Sequence, residues 1–593
     1  MNTERGVKKV FVLSVMLFLL FTVAPKATQS GNSSGARNFL PMVRSNCAPN
    51  GEDRSPELYV VYQEDVLTSS KEDAAFACSH GFPWESDTLI PLILYGKGIR
   101  EGAMLGKAPS LENITPTLAR LLSLDPPEES NGSVLTEALK PLWKKSKKTQ
   151  VKAPKVALVF TLDQCRADYL TDPQIRDAME FTLNVLAGEG AYYPEARLSY
   201  SGSRTAVSHS VIGTGATPGV NGIVGNNIKL GGDFPLAFND DPRHSMNMFN
   251  LLTPTLADVM DLKKNNDPIV ISMSPYARAA LGMGGHGASF SDESDHDIIV
   301  QFLMDTGLPY TNDEHFSLPD CLRYSDSNQI RIDQWLAANY GIDIHTVEWT
   351  ETITVVDNGT YAVPGANEIT GPQGCFPDGE TFTFNYPAVK DNTADRPAGT
   401  YQLWDENENF PSNSYYGDTM YTPFYQLWAI DMMLRTMDKE SVGQDEITDL
   451  VYYNFKCLDK VGHRYGVSSP EIYTYLYYVD YCLRKIKYWL DENVGEGEYV
   501  MVVTSDHGAH NASNERILYR PNLFNAIEGA FGEGVILNDP ADGYAFDDMI
   551  YLDQDMLDNN GYTQKDVALF VEKNFSDHVF KVYTKDEIFQ GQE

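Results

Sequence analysis

The sequence predicts an α/β fold built on a largely parallel central sheet, from three observations. Short apolar segments typical of buried strands alternate with segments of helical periodicity along most of the chain. Several apolar segments end in an acidic residue, which is where open α/β sheets place functional groups. An acidic, aromatic stretch at residues 290–415 breaks the alternation and indicates an inserted cap over that site.

The composition is that of a globular protein of 593 residues with a large excess of acidic side chains. Hydrophobic residues make up 42% of the chain and charged residues 22%, which is not typical of a disordered chain. The 46 Lys and Arg against 82 Asp and Glu give a formal charge of −36, which repels polyanions. We therefore expect no nucleic-acid duplex as a partner. A small phosphorylated substrate would need local positive charge, which bound metal ions could supply.

The N-terminus has the layout of a secretory signal peptide, assigned to residues 1–29. Arg5, Lys8 and Lys9 precede an apolar run at residues 10–24, and small residues follow it. Six Asn-x-Ser/Thr sequences are compatible with glycosylation of an exported chain: Asn32, Asn113, Asn131, Asn358, Asn511 and Asn574. The sequence therefore predicts a secreted or periplasmic protein, held at a membrane only if the leader stays uncleaved as an anchor.

The seven cysteines include no Cys-x-x-Cys pair, which disfavours a thiolate zinc site. In an exported protein some of them could form disulfides. Cys321 and Cys375, both within the expected cap, are the pair that we expect first.

The first part of the chain, residues 30–143, carries its own strand and helix patterns. Residues 57–67 alternate like a strand, and residues 90–99 form an apolar run typical of a buried strand. Residues 112–124 have leucines at helical spacing. The basic run at residues 144–155 indicates a linker to the rest of the chain.

The predicted α/β core spans residues 156–289 and 416–593. Its elements are strands at residues 155–163, 267–274, 450–459 and 498–504, and helices at residues 175–189 and 471–490. No internal repeat interrupts this order.

Three groups of metal-binding side chains follow predicted core strands. Asp163 closes the first strand, Asp459 and His463 are four residues apart on one face of a turn, and Asp506 and His507 follow the last strand. Carboxylates and imidazoles without thiolates suit zinc or a similar divalent ion. Singly, each could equally be a helix cap or a buried structural residue. Together with a hydroxyl nucleophile, the three groups favour a hydrolase with two metal ions.

The glycine-rich segment at residues 201–227 holds the candidate nucleophile, Thr205, in a predicted loop. Glycines let backbone approach a ligand closely, and a metal ion can promote ionisation of a hydroxyl. On its own the segment would be an ordinary surface loop, and only the acids and histidines elsewhere favour catalysis. Two ions with three protein ligands each, besides the shared nucleophile, need one more histidine; His80, ahead of residues 90–99, is the candidate.

These motifs resemble the alkaline phosphatase superfamily, in particular its phosphate-irrepressible alkaline phosphatases, with nucleotide pyrophosphatase/phosphodiesterases next. The matching segments occur in the family's order: LDQCRADYL, TAVSHSVIGTG, NGIVGNN, DKVGHRYG and TSDHG. The resemblance implies a three-layer sandwich with an inserted cap and two divalent ions, expected to be zinc. It implies a first ion on Asp459, His463 and His80, and a second on Asp163, Asp506, His507 and Thr205.

The resemblance also implies a chemistry. Phosphate esters would be hydrolysed through a phospho-threonine intermediate on Thr205, with Asn226 donating to a phosphoryl oxygen. Phosphomonoesterases of this type carry Lys-x-Arg after the third core strand, whereas this chain has Tyr276 and retains Arg278. Arg278 can grip two phosphoryl oxygens, but loss of the lysine charge should weaken discrimination against diesters.

We therefore expect a phosphomonoesterase acting on small phosphorylated substrates. A phosphodiesterase or nucleotide pyrophosphatase is the alternative that Tyr276 favours. A sulfatase is disfavoured because Thr205 stands at the nucleophile position. A secreted binding protein without activity would be expected to lack some of the ligands.

In such relatives the segment with the last histidine ligand follows the core, whereas here it precedes it. That segment comprises a strand, His-Gly, a strand, Gly-Lys-Gly and a Thr-Pro-Thr helix, in the order found at residues 57–124. The resemblance therefore implies a circular permutation with residues 144–155 as the new join. The alternative is an unrelated N-terminal domain over residues 57–140, which would leave one ligand missing.

Overall fold

A nine-stranded mixed sheet forms the centre of the protein in the computed structural model. The structure describes residues 37–47, 54–70, 77–144, 152–173, 175–238, 246–287, 297–304, 306–342, 419–511, 516–538 and 548–590. It also describes the backbone of short strands at Thr354–Val356, Thr360–Ala362, Asn367–Ile369, Phe382–Phe384 and Val389–Lys390.

The strands of the central sheet are numbered here in chain order. They are β1 (Leu89–Gly96), β2 (Ala103–Met104), β3 (Val156–Thr161), β4 (Ala191–Arg197), β5 (Val270–Ser274), β6 (Ile298–Leu303), β7 (Leu308–Tyr310), β8 (Asp449–Asn454) and β9 (Tyr499–Thr504). Across the sheet they lie in the order β7-β6-β5-β8-β3-β9-β1-β4-β2. Strands β6, β5, β8, β3 and β9 are parallel, whereas β7 and β1 run antiparallel to their neighbours β6 and β9. The predicted, largely parallel sheet is confirmed.

Helices cover both faces of this sheet. The helices of eight residues or more are Ile114–Leu121, Thr205–Thr214, Leu256–Lys264, Ala277–Gly284, Ile332–Tyr340, Pro423–Lys439, Cys457–Tyr465, Pro470–Leu490, Arg520–Phe531 and Gln564–Asn574. Alternate residues of β3 enter different hydrophobic clusters: Val159 packs with Val207 and Val211 on one face, and Leu158 packs with Trp428 on the other. Because both faces are buried, the strand is a continuous apolar run. The three-layer α/β sandwich is thus confirmed.

Most predicted elements of the core have the expected type. The helices predicted at residues 112–124 and 471–490 correspond to Ile114–Leu121 and Pro470–Leu490. The helix expected at residues 175–189 is present as a continuous helical stretch of mixed type over residues 176–189, with a 3-10 turn at Arg176–Met179 and a π-helix at Thr182–Ala187.

The N-terminal segment is part of the same compact unit as the rest, Phe39–Glu593. Its strand β1 pairs with β9 in the interior of the sheet. Its strand Leu58–Tyr62 pairs antiparallel with Val579–Thr584 in a smaller sheet. The Arg44 side chain donates to the carbonyl of Ile588 at 2.7 Å. An unrelated N-terminal domain is therefore wrong, because this segment completes the sheet of the core.

The sheet continues into residues 290–415, which were expected to form the cap. Strand β6 pairs parallel with β5, and β7 adds an antiparallel edge strand. The strand was not predicted because the acidic sequence just before β6 makes the whole region look polar. The cap therefore cannot begin before Tyr310, and a cap formed by later residues stays a prediction.

Several expectations concern residues outside the described ranges. The signal peptide at residues 1–29, most of the linker at residues 144–155, and Cys375 fall there. The other six cysteines, Cys321 included, are buried free thiols. Among the residues that the structure describes, none of the helices has the length and hydropathy needed to cross a membrane.

Candidate active site

Three adjacent parallel strands deliver the candidate carboxylates to one edge of the sheet. Asp163 follows β3, and Asp506 follows β9, each two residues beyond the last strand residue. Asp459 lies in the first turn of the helix Cys457–Tyr465, just after β8. Because β8, β3 and β9 are neighbours, these residues meet at their carboxyl ends, where open α/β sheets bind ligands.

Thr205 is the first residue of the helix Thr205–Thr214 and is 2% exposed. The loop expected around Thr205 is therefore wrong at this residue. The segment has poor helix formers such as Ser, Thr and Gly, but every residue of this helix is buried, and packing overrides weak propensity. A helix N-terminus carries partial positive charge and unpaired N–H groups, which suits a phosphate.

A buried ion pair fixes the start of this helix. The guanidinium of Arg204 donates to both carboxylate oxygens of Asp548, at 2.8 and 3.2 Å, and the two side chains are 3% and 1% exposed. The Tyr59 hydroxyl also donates to Asp548 and accepts from Ser201. The helix Thr205–Thr214 is thus attached to both the N-terminal and the C-terminal parts of the chain.

The first ligand cluster consists of His80, Asp459 and His463. Oδ1 of Asp459 lies 3.4 Å from Nε2 of His80 and 3.1 Å from Nε2 of His463. The Nδ1–H groups donate to backbone carbonyls, that of His80 to Ser203 at 2.8 Å and that of His463 to Cys78 at 3.0 Å. These bonds fix the tautomer and orient the two Nε2 atoms toward the carboxylate, as in metal-binding histidines.

The second cluster joins Asp163, Asp506 and His507. Nε2 of His507 lies 3.3 Å from Oδ2 of Asp506 and 3.7 Å from Oδ1 of Asp163, and its Nδ1–H donates to the Gly508 carbonyl at 2.9 Å. The rings of His80 and His507 stack with centroids 3.8 Å apart. The two clusters are therefore contiguous.

The donor atoms of the second cluster fit a divalent metal ion. Oδ2 of Asp506 and Nε2 of His507 are buried and have no hydrogen-bond partner among the described residues. A buried polar atom without a partner costs about 1–3 kcal/mol, more if charged. A cation held between these atoms would remove that cost and use all of them as ligands.

The electrostatics of the clusters agree with this interpretation. Burial, and next the charge of Asp163, raise the pKa of Asp506 well above its usual range. Burial, and next the nearby His80, hold the pKa of His507 well below its usual range. A neutral imidazole beside a buried carboxylate is an arrangement that suits a divalent ion.

Gln164 links the carboxylates of both clusters. Its backbone N–H donates to Oδ1 of Asp506 and its side-chain amide to Oδ1 of Asp459, both at 3.0 Å. Gln164 has a φ of 65°, in the left-handed region that non-glycine residues rarely adopt. Such strain persists where the surroundings hold it in place, as they do between these two ligands.

His209 and Lys456 are two site residues that sequence reasoning missed. His209, one helical turn after Thr205, is fully buried; its Nδ1–H donates to the Thr205 carbonyl at 2.8 Å and its Nε2 accepts from the Thr161 hydroxyl at 2.9 Å. Burial lowers the pKa of His209 to about 4. Because both ring nitrogens are hydrogen-bonded, His209 is a neutral residue that stabilises the helix Thr205–Thr214.

Lys456 precedes the helix that carries Asp459 and is 2% exposed. Its ammonium contacts Asp163, Asp459 and Thr205. Burial would raise the pKa of Asp459, but the Lys456 ammonium and His463 hold it well below its usual range. The spacing of three residues before Asp459 is a signal that the sequence contained.

The expected phosphate-binding residues are Asn226, which contacts the first turn of the helix Thr205–Thr214, and Arg278, which lies against Tyr276. The side-chain oxygen of Asn226 accepts from the backbone N–H of Ala206 at 3.1 Å, which leaves its NH₂ group to donate beside the nucleophile. The Arg278 guanidinium lies 4.2 Å from the ring centroid of Tyr276, and Lys460 lies 5.1 Å from the same centroid. The Tyr276 ring thus forms cation–π contacts with Arg278 and Lys460.

The family model described as "Type I phosphodiesterase / nucleotide pyrophosphatase" matches residues 157–245 and 328–592, which is more than half of the chain. The chain belongs to this family. The match includes Asp163, Thr205, Asp459 and Asp506, whereas His80 lies before its first residue.

Curated relatives share about a quarter of the aligned residues. The chain is 25% identical over 379 residues to a "Calcium-transporting ATPase" of Myroides odoratus, 61% of each chain. It is 25% identical over 370 residues to alkaline phosphatase PhoV of Synechococcus elongatus, 60% of each chain. It is 25% identical over 379 residues to alkaline phosphatase PafA of Elizabethkingia meningoseptica, 61% of each chain. The chain thus spans less than two thirds of the length of these relatives.

A solved structure confirms the fold. The crystal structure of wild-type alkaline phosphatase PafA aligns with a TM-score of 0.51 at 21% identity, covering 75% of this chain and 81% of that chain. The alkaline-phosphatase-like α/β fold expected from the motifs is therefore shown.

We expect the substitution His80→Ala to remove about one bound divalent ion per chain, because it deletes one of three protein ligands of the first cluster. Metal content after dialysis, measured by atomic absorption, tests this. His578→Ala is the matched control, since His578 lies in the turn before Val579–Thr584 and outside both clusters. Equal metal content in the His80 variant and the control would show that His80 holds no ion.

Proposed function

We propose that the protein is an exported phosphohydrolase that cleaves phosphate monoesters through a phospho-threonine intermediate at a two-zinc site. The observation that carries the proposal is the position of Thr205. Its hydroxyl lies at a helix N-terminus, bonded through Lys456 to Asp163 and Asp459, one from each ligand cluster. The family match and the alkaline phosphatases among its relatives support the same class of reaction.

In this proposal the residues divide the work between binding and attack. Asn226 and Arg278 hold the non-bridging oxygens and orient the phosphorus in line with Oγ1 of Thr205. Oγ1 forms a bond to phosphorus as the bond to the leaving alcohol breaks, and water then releases phosphate from Thr205. The two ions, held by the two clusters, would favour the ionised hydroxyl and neutralise charge on the phosphoryl and leaving oxygens.

We expect Thr205→Ala to lower kcat on an aryl phosphate by at least about 10³-fold, because the nucleophile is lost. Acid quenching during turnover of ³²P-labelled substrate should trap phosphate on the unmodified chain and none on the variant. Thr217→Ala is a suitable control, since the Thr217 hydroxyl accepts from Asn131 and takes no part in either cluster. Unchanged hydrolysis by Thr205→Ala would instead support a binding protein or another nucleophile.

Phosphodiester hydrolysis is the second candidate, and Tyr276 is the observation that favours it. A lysine at this position would bind the additional charge of a monoester, and Tyr276 cannot. We expect kcat/KM to be higher for an aryl phosphate than for its methyl diester, and Tyr276→Lys to raise that ratio about tenfold through one charge-assisted hydrogen bond. A higher kcat/KM for the diester in the unmodified enzyme would make it a phosphodiesterase.

We also propose that the chain is circularly permuted relative to its relatives. The support lies in the contacts of the N-terminal segment, which places β1 beside β9 and His80 beside Asp459. The family match starts only at residue 157, beyond this segment. Arg44 contacts the carbonyl of Ile588, so the two ends of the described fold lie close together.

Moving residues 39–143 behind residue 590 through a short flexible linker tests the permutation. The rearranged chain should fold, bind the same amount of metal and hydrolyse the aryl phosphate within about tenfold of the original rate, since circular permutants with adjacent ends keep their contacts. Thermal unfolding and metal content are the measurements. A rearranged chain that is unfolded, while the original order is stable, would contradict the proposal.

A further inference from the structure

The Lys456 ammonium lies between three side chains of the site. Nζ donates to Oδ1 of Asp163 at 2.9 Å and to Oγ1 of Thr205 at 3.0 Å. It also forms an ion pair with Oδ2 of Asp459 at 2.8 Å. The side chain is 2% exposed, which means that no water layer weakens the contacts.

The ammonium shares one candidate ligand atom with the second cluster, because it binds Oδ1 of Asp163, which lies 3.7 Å from Nε2 of His507. Asp459 presents Oδ2 to Lys456, whereas its Oδ1 faces His80 and His463. Oδ2 of Asp506 has no hydrogen-bond partner among the described residues. Lys456 is therefore an additional cation that leaves Oδ1 of Asp459 and Oδ2 of Asp506 to a metal ion.

A structural role alone does not account for the third contact. A buried lysine needs a carboxylate to offset its desolvation, and Asp163 and Asp459 already provide two. The ammonium also donates to the hydroxyl that would attack phosphorus. An ammonium that donates to this oxygen stabilises negative charge on it, and it lies within reach of the phosphoryl oxygens once phosphorus approaches Oγ1.

We propose that Lys456 is a further catalytic residue, whose permanent positive charge stabilises Oγ1 of Thr205 and binds the phosphoryl group, so that it supplies the monoester-specific cation absent at Tyr276. This inference rests on the proposed phosphatase function. The Tyr276 ring lies close to both charges, 5.7 Å from Nζ of Lys456 and 4.2 Å from the Arg278 guanidinium carbon. In this proposal the cation is Lys456, which follows β8, and it takes the place of a lysine that would otherwise stand at position 276, after β5.

The charges of the substrates determine which ester loses more activity when the Lys456 charge is removed. A phosphate monoester dianion carries one more negative charge than its methyl diester, and the interaction between charges is strong in a buried site. Removing the Lys456 charge should therefore weaken the monoester transition state more than the diester one. It should also leave the carboxylates more negative, so that divalent ions bind at least as tightly as before.

Lys456→Met removes the charge and keeps the length of the side chain. We expect kcat/KM on an aryl phosphate to fall by about 10²-fold or more, the loss typical of removing one donor to a developing charge. On the methyl diester we expect the fall in kcat/KM to be at least about tenfold smaller, since the diester lacks one charge-assisted hydrogen bond that the monoester makes. Inorganic phosphate should inhibit about tenfold more weakly by the same reasoning, while metal content stays unchanged.

Lys485→Met is the matched control. Lys485 is another buried ammonium, 3% exposed and paired with Asp431, outside the ligand clusters. It should lower stability in the same way without changing the ratio of the two kcat/KM values. Where Lys456→Met does not fold, Lys456→Gln, which still donates a hydrogen bond but has no charge, should show the same fall in the ratio.

The possible outcomes distinguish failure of this inference from failure of the proposed phosphatase function. An unmodified enzyme that hydrolyses neither ester contradicts the proposed function itself. If the enzyme is active, equal losses on both esters in a folded, metal-loaded Lys456 variant would assign Lys456 a structural role only. Loss of metal in that variant would also overturn the inference, because the charge would then act through the ions.

Discussion

Three aspartates are buried side by side at the carboxyl edge of the sheet, and their mutual repulsion is the constraint on which the site depends. Asp163 and Asp506 are fully buried and Asp459 is 2% exposed. Like charges a few ångströms apart away from water repel by several kcal/mol, so such a group is stable only with compensating cations. Lys456 compensates Asp163 and Asp459. Oδ2 of Asp506 has no hydrogen-bond partner among the described residues, and burial, and next the charge of Asp163, raise the pKa of this carboxyl.

The N-terminal segment contributes to the candidate site through contacts with distant parts of the chain. The short strand Cys78–Ser79 pairs with His510–Asn511, just after His507, and His80 lies 3.4 Å from Asp459. The buried bond from Tyr59 to Asp548, which also binds Arg204, connects this segment to the start of the helix Thr205–Thr214. The geometry of the candidate ligands and of Thr205 is therefore set by contacts between parts of the chain that are distant in sequence.

Local patterns were sufficient to predict strands β1, β3, β5, β8 and β9 of the nine-stranded sheet and the acids at its edge. The apolar runs of β3 and β9 end two residues before Asp163 and Asp506, and buried parallel strands leave little freedom in where such residues lie. His80 was inferred from family resemblance and from a ligand that was missing, because periodicity does not reveal which distant segments meet.

The features that escaped prediction have two physical causes. A lysine after a strand is normally exposed, so its spacing of three residues from Asp459 does not show that Lys456 is buried between carboxylates. The helix Thr205–Thr214 has the composition of a loop and owes its conformation to complete burial. In these two cases tertiary contacts outweigh local preference. Strand β6 was missed because acidic sequence precedes its apolar residues.

The pairing of Leu58–Tyr62 with Val579–Thr584 has a consequence for how this protein is made. The earlier strand leaves the ribosome long before its partner exists, and β1 must likewise await β9. Contacts of such high sequence separation form slowly and leave apolar strand edges uncovered in the meantime. These strands can pair only after Tyr499–Thr504 and Val579–Thr584 have been synthesised, so the nascent chain has to be shielded from aggregation until both emerge.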